Sequence, residues 1–400
     1  MSIKLKQNIK IGYIYNFFLQ LNITSAIWVL YLAFKGMSLI EIGILESIFH
    51  ITGLILEIPS GAIADLYGRK FSVVVGRVLN LISCILLITA NTFLEFSISF
   101  ILNSAALNLN SGAAEALIYD SLKELGEEEK YKKIWGQTAF IMSISQGIAI
   151  LLGGILADVN FLYAYVFGAI IQTIALLVSL KFVEPTSNRK PNINNIKQQK
   201  ENIFINQLKM SIDVLKCRKI ILYIIMFSAL LGSLQTTVFF YSQKFFSDLG
   251  YTKTVIAIIC FVGSILEAFS SKYAYKIENR FEIRGILIGL STISIVALTG
   301  LAFVAELSIA FYLLTNLSGG LAFTILSDYI NGRIPSESRA TILSFESLWF
   351  SIFMIGIFPM FGFIAEYIGL TLTFGVIALI YIPAIIFLIV KLKKHEKICA

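Results

Sequence analysis

The chain has 400 residues, 57% hydrophobic and 14% charged, with 32 Lys and Arg against 25 Asp and Glu and a net charge of +7. An average soluble domain carries about 25% charged residues, so this composition excludes an ordinary soluble fold and points to a polytopic membrane protein. The positive charge is spread in small groups between apolar runs, which excludes a nucleic-acid footprint.

The first residues are basic, with Lys4 and Lys6, and the apolar run behind them is too long for a cleavable signal core. The first span is therefore expected to stay in the membrane as the insertion signal. About twenty apolar residues at a rise of about 1.5 Å cross a hydrocarbon core of about 30 Å. Twelve stretches meet this length: 11–33, 39–60, 71–91, 94–119, 134–157, 161–183, 219–246, 252–275, 285–304, 307–330, 339–365 and 370–390. The runs are continuous and too long for barrel strands, and lipid requires backbone groups to be bonded within a segment, so helices are expected. With both termini in the cytoplasm, Lys35, Lys244 and Lys253 are the only bases among the 32 at or near the outer side. The rest obey the positive-inside rule, which supports the count of twelve.

Between the sixth and seventh spans lies a polar stretch rich in Asn, Lys and Gln. The expected organisation is an N-terminal six-helix bundle over 1–183, a cytoplasmic central loop over 184–218 and a C-terminal six-helix bundle over 219–400. Pro185 ends the sixth span. Ile205, Leu208, Ile212 and Leu215 have helical spacing, which fits a surface helix over 203–215, with a linker as the alternative. The halves look duplicated. An offset of 208 carries Asp120 to Asp328, Tyr131 to Arg339 and Lys10 to Arg218. Applied to Asp65 it lands on Tyr273, placing a worn counterpart of the span 2–3 loop near Ser271–Lys276.

That loop reads as a short polar turn between two spans, with Gly61, Asp65, Gly68, Arg69 and Lys70 in the pattern G-x-x-x-D-x-x-G-R-K. Together with six plus six spans and a central loop, it resembles the signature of the major facilitator superfamily of secondary transporters, and the resemblance covers essentially the whole chain. It implies two six-helix halves that rock about a site near the midplane. It also implies that spans three, six, nine and twelve lie outermost. A further implication is a cytoplasmic latch in which Asp65, Arg69 and Asp120 meet, with Asp65 facing the start of span eleven near Ser338. The plain alternative is that Arg69 and Lys70 only satisfy the positive-inside rule.

Ionisable residues inside a bilayer are costly and are functional candidates by default. Here they are Glu46, His50 and Glu57 in span two, Glu115 in span four, Lys244 in span seven, Glu267 in span eight and Glu346 in span eleven. None falls between the ends of spans six, nine and twelve, and span three has only Arg77. Glu46, His50, Gly53 and Glu57 follow one another at i, i+4, i+7 and i+11, a single helical face. A ladder of this kind suits proton transfer, because histidine changes charge near neutral pH. A neutral His50 bonded to a neighbour is the alternative, and Glu57 also suits an architectural role beside Gly61.

Span five carries Gln146, Gly147, Gly153 and Gly154. This resembles the glycine-rich fifth span of the family's exporters but lacks its proline; the resemblance favours export, with ordinary small-residue packing as the alternative. Substrate-facing candidates are Asn22 and Trp28 in span one, Gln146, Gln235 and Tyr241 in spans five and seven, Glu267, and Glu346 and Trp349 in span eleven. No Arg or Lys cluster waits at the midplane for an anion. Acids with aromatics suit a lipophilic or cationic compound. Neither HExxH, G-x-S-x-G nor a P-loop occurs, and Cys84, Cys217, Cys260 and Cys399 lack metal or redox spacing. The expectation is a monomeric, non-enzymatic, multi-pass transporter of the bacterial plasma membrane. It needs no cofactor or metal and takes a small molecule and protons as partners. Proton-coupled efflux of drugs or metabolites leads. Nutrient uptake by proton symport, and a transporter-like sensor or lipid flippase, are the alternatives.

Overall fold

The computed structural model describes residues 2–185, 219–334 and 339–399. The expected surface helix over 203–215 and the expected start of span eleven at Ser338 lie outside them. Among the described residues all regular structure is helical. In chain order the helices are α1 (Ser2–Gln20), α2 (Trp28–Phe34), α3 (Leu39–Tyr67), α4 (Arg69–Thr89), α5 (Phe93–Asn110), α6 (Ala113–Glu124), α7 (Tyr131–Val159) and α8 (Phe161–Ser179), followed by α9 (Lys219–Asp248), α10 (Lys253–Glu278), α11 (Ile283–Phe303), α12 (Ser308–Asn331), α13 (Arg339–Ile368) and α14 (Leu370–Cys399).

Ten helical stretches are long and apolar enough to cross a membrane uninterrupted. The first and fourth expected spans complete the twelve, but each is broken, which corrects their reading as continuous helices. The first is interrupted at residues 21–27, where the Thr24 hydroxyl bonds the Asn22 side chain at 3.1 Å. Short polar side chains of this kind compete with the helical ladder. The fourth breaks at Ser111–Gly112, where Gly112 takes φ +69°.

The chain divides into two compact units. Unit 1 comprises the described parts of Met1–Met37, Ile48–Lys197 and Thr252–Ile258, and unit 2 those of Ser38–Ser47, Gln198–Tyr251 and Ile259–Ala400. In unit 1, α4 packs on α5, α6 and α8, and α1 on α6, α7 and α8. In unit 2, α11 packs on α12 and α14, and α9 on α12, α13 and α14. These neighbour relations repeat, span for span, and support the duplication inferred from the offset of 208.

Helices in lipid gain little hydrophobic energy from one another, so close packing and polar bonds must hold them. One face of α4 is such a polar seam. Ser72 donates to the Leu109 carbonyl at 2.6 Å, Asn80 to Asn103 at 3.0 Å and Ser83 to the Ser99 carbonyl at 2.8 Å. Arg77 is 2% exposed and donates to Gln172 at 3.1 Å, while its Nε and Nη2 have no partner among the described residues. It therefore lies inside the bundle, two turns into α4, in the span where the sequence places it. Asn8 is wholly buried, bonds Ser121 and exchanges two bonds with the Val183 backbone, at 2.9, 2.7 and 2.9 Å. It ties the start of the chain to the end of the sixth span.

Close approach also fixes α7. A Cβ on Gly153 would sit 2.2 Å from the Ile23 carbonyl oxygen, in the break between α1 and α2, whereas Gly136 on the same helix faces open space. Gly153→Leu is expected to cost at least about 3 kcal/mol, the upper end of overpacking, and to deplete folded protein. Gly136→Leu is expected to be silent. Thermal unfolding and monodisperse yield in detergent check the pair.

Candidate functional site

The polar turn foreseen over Gly61–Lys70 is far shorter in the structure. Helix α3 runs through Gly61 to Tyr67, and a Cβ at Gly61 would meet nothing. Its flanks hold enough apolar residues and few enough breakers for the helix to continue. The chain turns at Gly68 alone, with φ +99°, a conformation that strains any residue with a side chain. Helix α4 begins at the next residue.

Around this turn, Arg69 lies 3.5 Å from Asp65 and 3.9 Å from Asp120, all within unit 1. The three predicted residues are brought together. At these distances and partial exposure, each pair contributes at most about 1 kcal/mol. The stronger contact is one the sequence reading missed. Glu184, assigned above to the central loop, accepts bonds from the backbone N–H of Arg69 at 2.9 Å and of Lys70 at 2.7 Å. It satisfies two orphan donors of α4 and places a carboxylate at the positive end of the helix. Its carboxyl carbon lies 2.9 Å from where a Cβ at Gly68 would be, so the glycine also leaves room for the acid. The sequence signal was present in retrospect, as an acid just before Pro185, but only the fold brings the end of span six to the start of span three.

Tyr273, the projected counterpart of Asp65, lies within α10, five residues before its last residue Glu278. The equivalent turn in the second half is instead the stretch 279–282 between α10 and α11. The offset of 208 fails there because the repeat is locally shifted.

Deeper in the same helix, α3 is continuous, so Glu46, His50, Gly53 and Glu57 do share one face. Glu46 is buried at 8% exposure, His50 is half-buried and Glu57 is exposed. Gly53 packs near Ser104 and Asn108 of α5, and Ser104 bonds the Phe49 carbonyl at 2.7 Å. Glu115 in α6 accepts a short hydrogen bond from the Tyr131 hydroxyl. Tyr119 meets Tyr131 edge-on, and Tyr131 stacks on Trp135. The sequence reading used Tyr131 only as a landmark of the repeat and gave none of these three aromatics a place in a site.

The remaining candidates separate by environment. Asn22 and Gln146 are exposed, and Trp28 meets Phe100 edge-on at 5.6 Å. Glu346 accepts from Ser228 at 2.7 Å, and Trp349 lies 5.8 Å from Phe353. Glu267 is exposed on α10. Gln235 is half-buried beside Gly319, and its Nε2 has no partner among the described residues. Tyr241 is wholly buried, stacked on Phe361 at 4.5 Å, and its hydroxyl donates to the Phe358 carbonyl at 3.1 Å. Its place is in the packed interior of unit 2. No group of three or more His, Cys, Asp or Glu able to hold a metal occurs among the described residues.

A family model described as Major Facilitator Superfamily matches residues 11–359. The chain is 24% identical to the uncharacterized MFS-type transporter YxaM of Bacillus subtilis (strain 168), over 94% of each chain. It is 23% identical to the uncharacterized MFS-type transporter MJ1560 of Methanocaldococcus jannaschii, over 92% of this chain and 93% of that one. Among solved structures, the nucleoside transporter NupG superposes with TM-score 0.72 at 15% identity, covering 99% of each chain. A D-xylose-proton symporter gives 0.68 at 15%, covering 97% of this chain and 96% of that one.

Removing the Glu184 carboxylate tests the turn. Glu184→Ala is expected to lower stability by about 0.5–2 kcal/mol, the range of a helix cap. Glu184→Gln, which keeps an acceptor but no charge, is expected to lose less. Thermal unfolding of the purified variants in one detergent gives the ranking.

Proposed function

Because the chain belongs to the Major Facilitator Superfamily, we propose that this multi-pass membrane transporter is a proton-driven exporter of lipophilic or cationic small molecules. The observation that carries the reading is the face of α3: Glu46 buried in an otherwise apolar segment, one turn from His50 and three turns from Glu57. A buried carboxyl in a membrane helix is costly and is retained where it does work. In this reading Glu46 and His50 take up and release the coupling proton, and the exposed Glu57 passes it on at the far end.

The substrate class follows from chemistry around the remaining candidates. Glu346 and Glu267 offer negative charge, and Trp349, Trp28 and their aromatic neighbours offer faces for a cation. The close approaches of Gly153 and Gly154 on α7 support export by analogy with the glycine-rich fifth span of exporters. The cell membrane of a bacterium, with both termini cytoplasmic, fits the distribution of Lys and Arg. The cluster of Asp65, Arg69, Asp120 and Glu184 is then a cytoplasmic latch that acts on conformation and does not touch substrate.

A second reading is uptake of a small polar nutrient by proton symport. It is favoured by Gln235, a buried amide donor with no partner among the described residues, which a polar substrate would satisfy. The two readings predict opposite direction of flux.

Expressed in a bacterium lacking its own drug pumps, the protein is expected to drive ethidium efflux that a protonophore abolishes. Glu46→Gln and His50→Ala are each expected to uncouple flux from the proton gradient, leaving downhill exchange. Asp65→Asn and Arg69→Ala are expected to cut efflux at least about tenfold, or about 1.4 kcal/mol, with insertion unchanged. Accumulation of a nutrient without efflux of any dye would select the second reading. Full coupling in both span-two variants would remove the ladder.

A further inference from the structure

Two helix starts far from the Gly68 turn are finished in the same unusual way. Helix α10 begins in unit 1, where Thr252 caps it by accepting from the Val255 N–H at 3.3 Å. Its first two N–H groups, on Lys253 and Thr254, donate to the two carboxylate oxygens of Asp158 at 2.7 and 2.8 Å. The Lys253 ammonium lies 3.9 Å from the same carboxylate. All three leading donors of α10 are thus satisfied, two of them by a residue at the far end of α7. Helix α3 begins in unit 2, where Ser38 and Glu41 form a capping box, with Glu41 N–H to Ser38 at 3.2 Å and Ser38 N–H to Glu41 at 2.9 Å. Its first N–H, on Leu39, donates to Glu366 at 2.9 Å, from the far end of α13.

These are the same device made twice. Asp158 and Glu366 are related by the offset of 208 that links the halves, and so are Gly154 and Gly362 one turn earlier. A Cβ on Gly154 would lie 2.6 Å from the Lys253 carbonyl oxygen, and one on Gly362 would lie 2.1 Å from that of Leu39. Each acid therefore comes with a glycine that lets the capped helix start lie directly against its partner. The turns leading into α3 and α10 match as well. Gly36 and Gly250 take φ +87° and +89°. Met37 and Tyr251 each donate back five residues, to Leu32 and Phe246. Each capped segment belongs to the opposite half of the sequence from its acid.

We infer that Asp158 and Glu366 are a repeat-related pair of releasable caps, each holding a helix start supplied by the other half of the chain and letting it go during the conformational cycle. The inference rests on the transporter reading for the cycle itself, but the caps can be tested without substrate. A covalent staple or a long apolar contact would fix such a joint. A few backbone N–H bonds to one exposed carboxylate contribute about as much as a helix cap, which thermal fluctuation can reverse. The two caps are unequal. Asp158 bonds two N–H groups with Lys253 beside it, whereas Glu366 bonds one, so the Asp158 cap is the stronger. The start of α3 is also held by Tyr241 donating to the Leu39 carbonyl at 3.3 Å and Ser47 donating to the Ile355 carbonyl at 2.9 Å.

The test uses the full chain in lipid nanodiscs, with Cys84, Cys217, Cys260 and Cys399 replaced by serine and one buried reporter added. Ala257→Cys reports on α10 and Ile42→Cys on α3, since these positions are 2% and 0% exposed. With the acids intact, slow maleimide labelling of both reporters is expected. Asp158→Asn is expected to speed labelling at position 257, and Glu366→Gln at position 42, by about three- to thirty-fold, the range set by loss of a cap. Each variant reads a separate joint, so failure of one to fold leaves the other decisive. Rates unmoved by either substitution, or no labelling of either reporter in the chain with intact acids, would overturn the inference. Absence of ethidium efflux alongside the expected labelling would count against the export reading and leave the caps standing.

Discussion

A carboxylate placed on the first N–H groups of a helix from elsewhere in the chain recurs at three junctions of this structure. Helix starts leave donors without intrahelical partners, and at a membrane boundary those donors must be met by protein or water. Glu184 does this for α4, Asp158 for α10 and Glu366 for α3. Each acid joins segments distant in sequence. These bonds are directional and few, so they fix where a helix begins without gluing its whole length. For a transporter this division is useful: the interior of a bundle stays intact while its ends exchange partners.

Inside the bundles a different rule operates. Apolar side chains facing lipid gain little from helix association, and the specificity comes from small residues and polar threads. The seam along α4 and the fully bonded Asn8 are the clearest cases in unit 1. In unit 2 the equivalent work is done more by aromatic packing, in a chain of ring contacts running Phe358, Tyr241, Phe361, Phe374 and Phe245. The duplicated architecture thus survives with different chemistry in its two copies. Conservation of neighbour relations rather than of residue types explains why the repeat is faint in sequence and plain in packing.

The same duplication explains the one displaced landmark. The offset of 208 holds from Asp120 to Asp328 and from Asp158 to Glu366, but the turns at Gly36 and Gly250 are 214 apart. The offset of 214 also carries Leu39 to Lys253, Arg69 to Ile283 and Thr89 to Phe303, so the shift runs through spans eight and nine and has returned to 208 only by Asp328 near the end of span ten. A single offset therefore placed the counterpart of the Gly68 turn at Lys276, inside α10.

Apolar length and the placement of Lys and Arg determined, from the sequence alone, that this is a twelve-span helical membrane protein. The spacing of Gly, Asp and Arg at 61–70, with the span pattern, determined its family. The shared face of Glu46, His50 and Glu57 was also legible, because helical periodicity is local. What was not legible depends on contacts between segments distant in sequence. The breaks in the first and fourth spans, the burial of Arg77 and the packed position of Tyr241 are set by neighbours that composition does not reveal. Glu184, Asp158 and Glu366 read in sequence as ordinary acids at the ends of spans. Only the tertiary structure brings them to orphan N–H groups, because a helix start advertises its unmet donors in space and not in sequence.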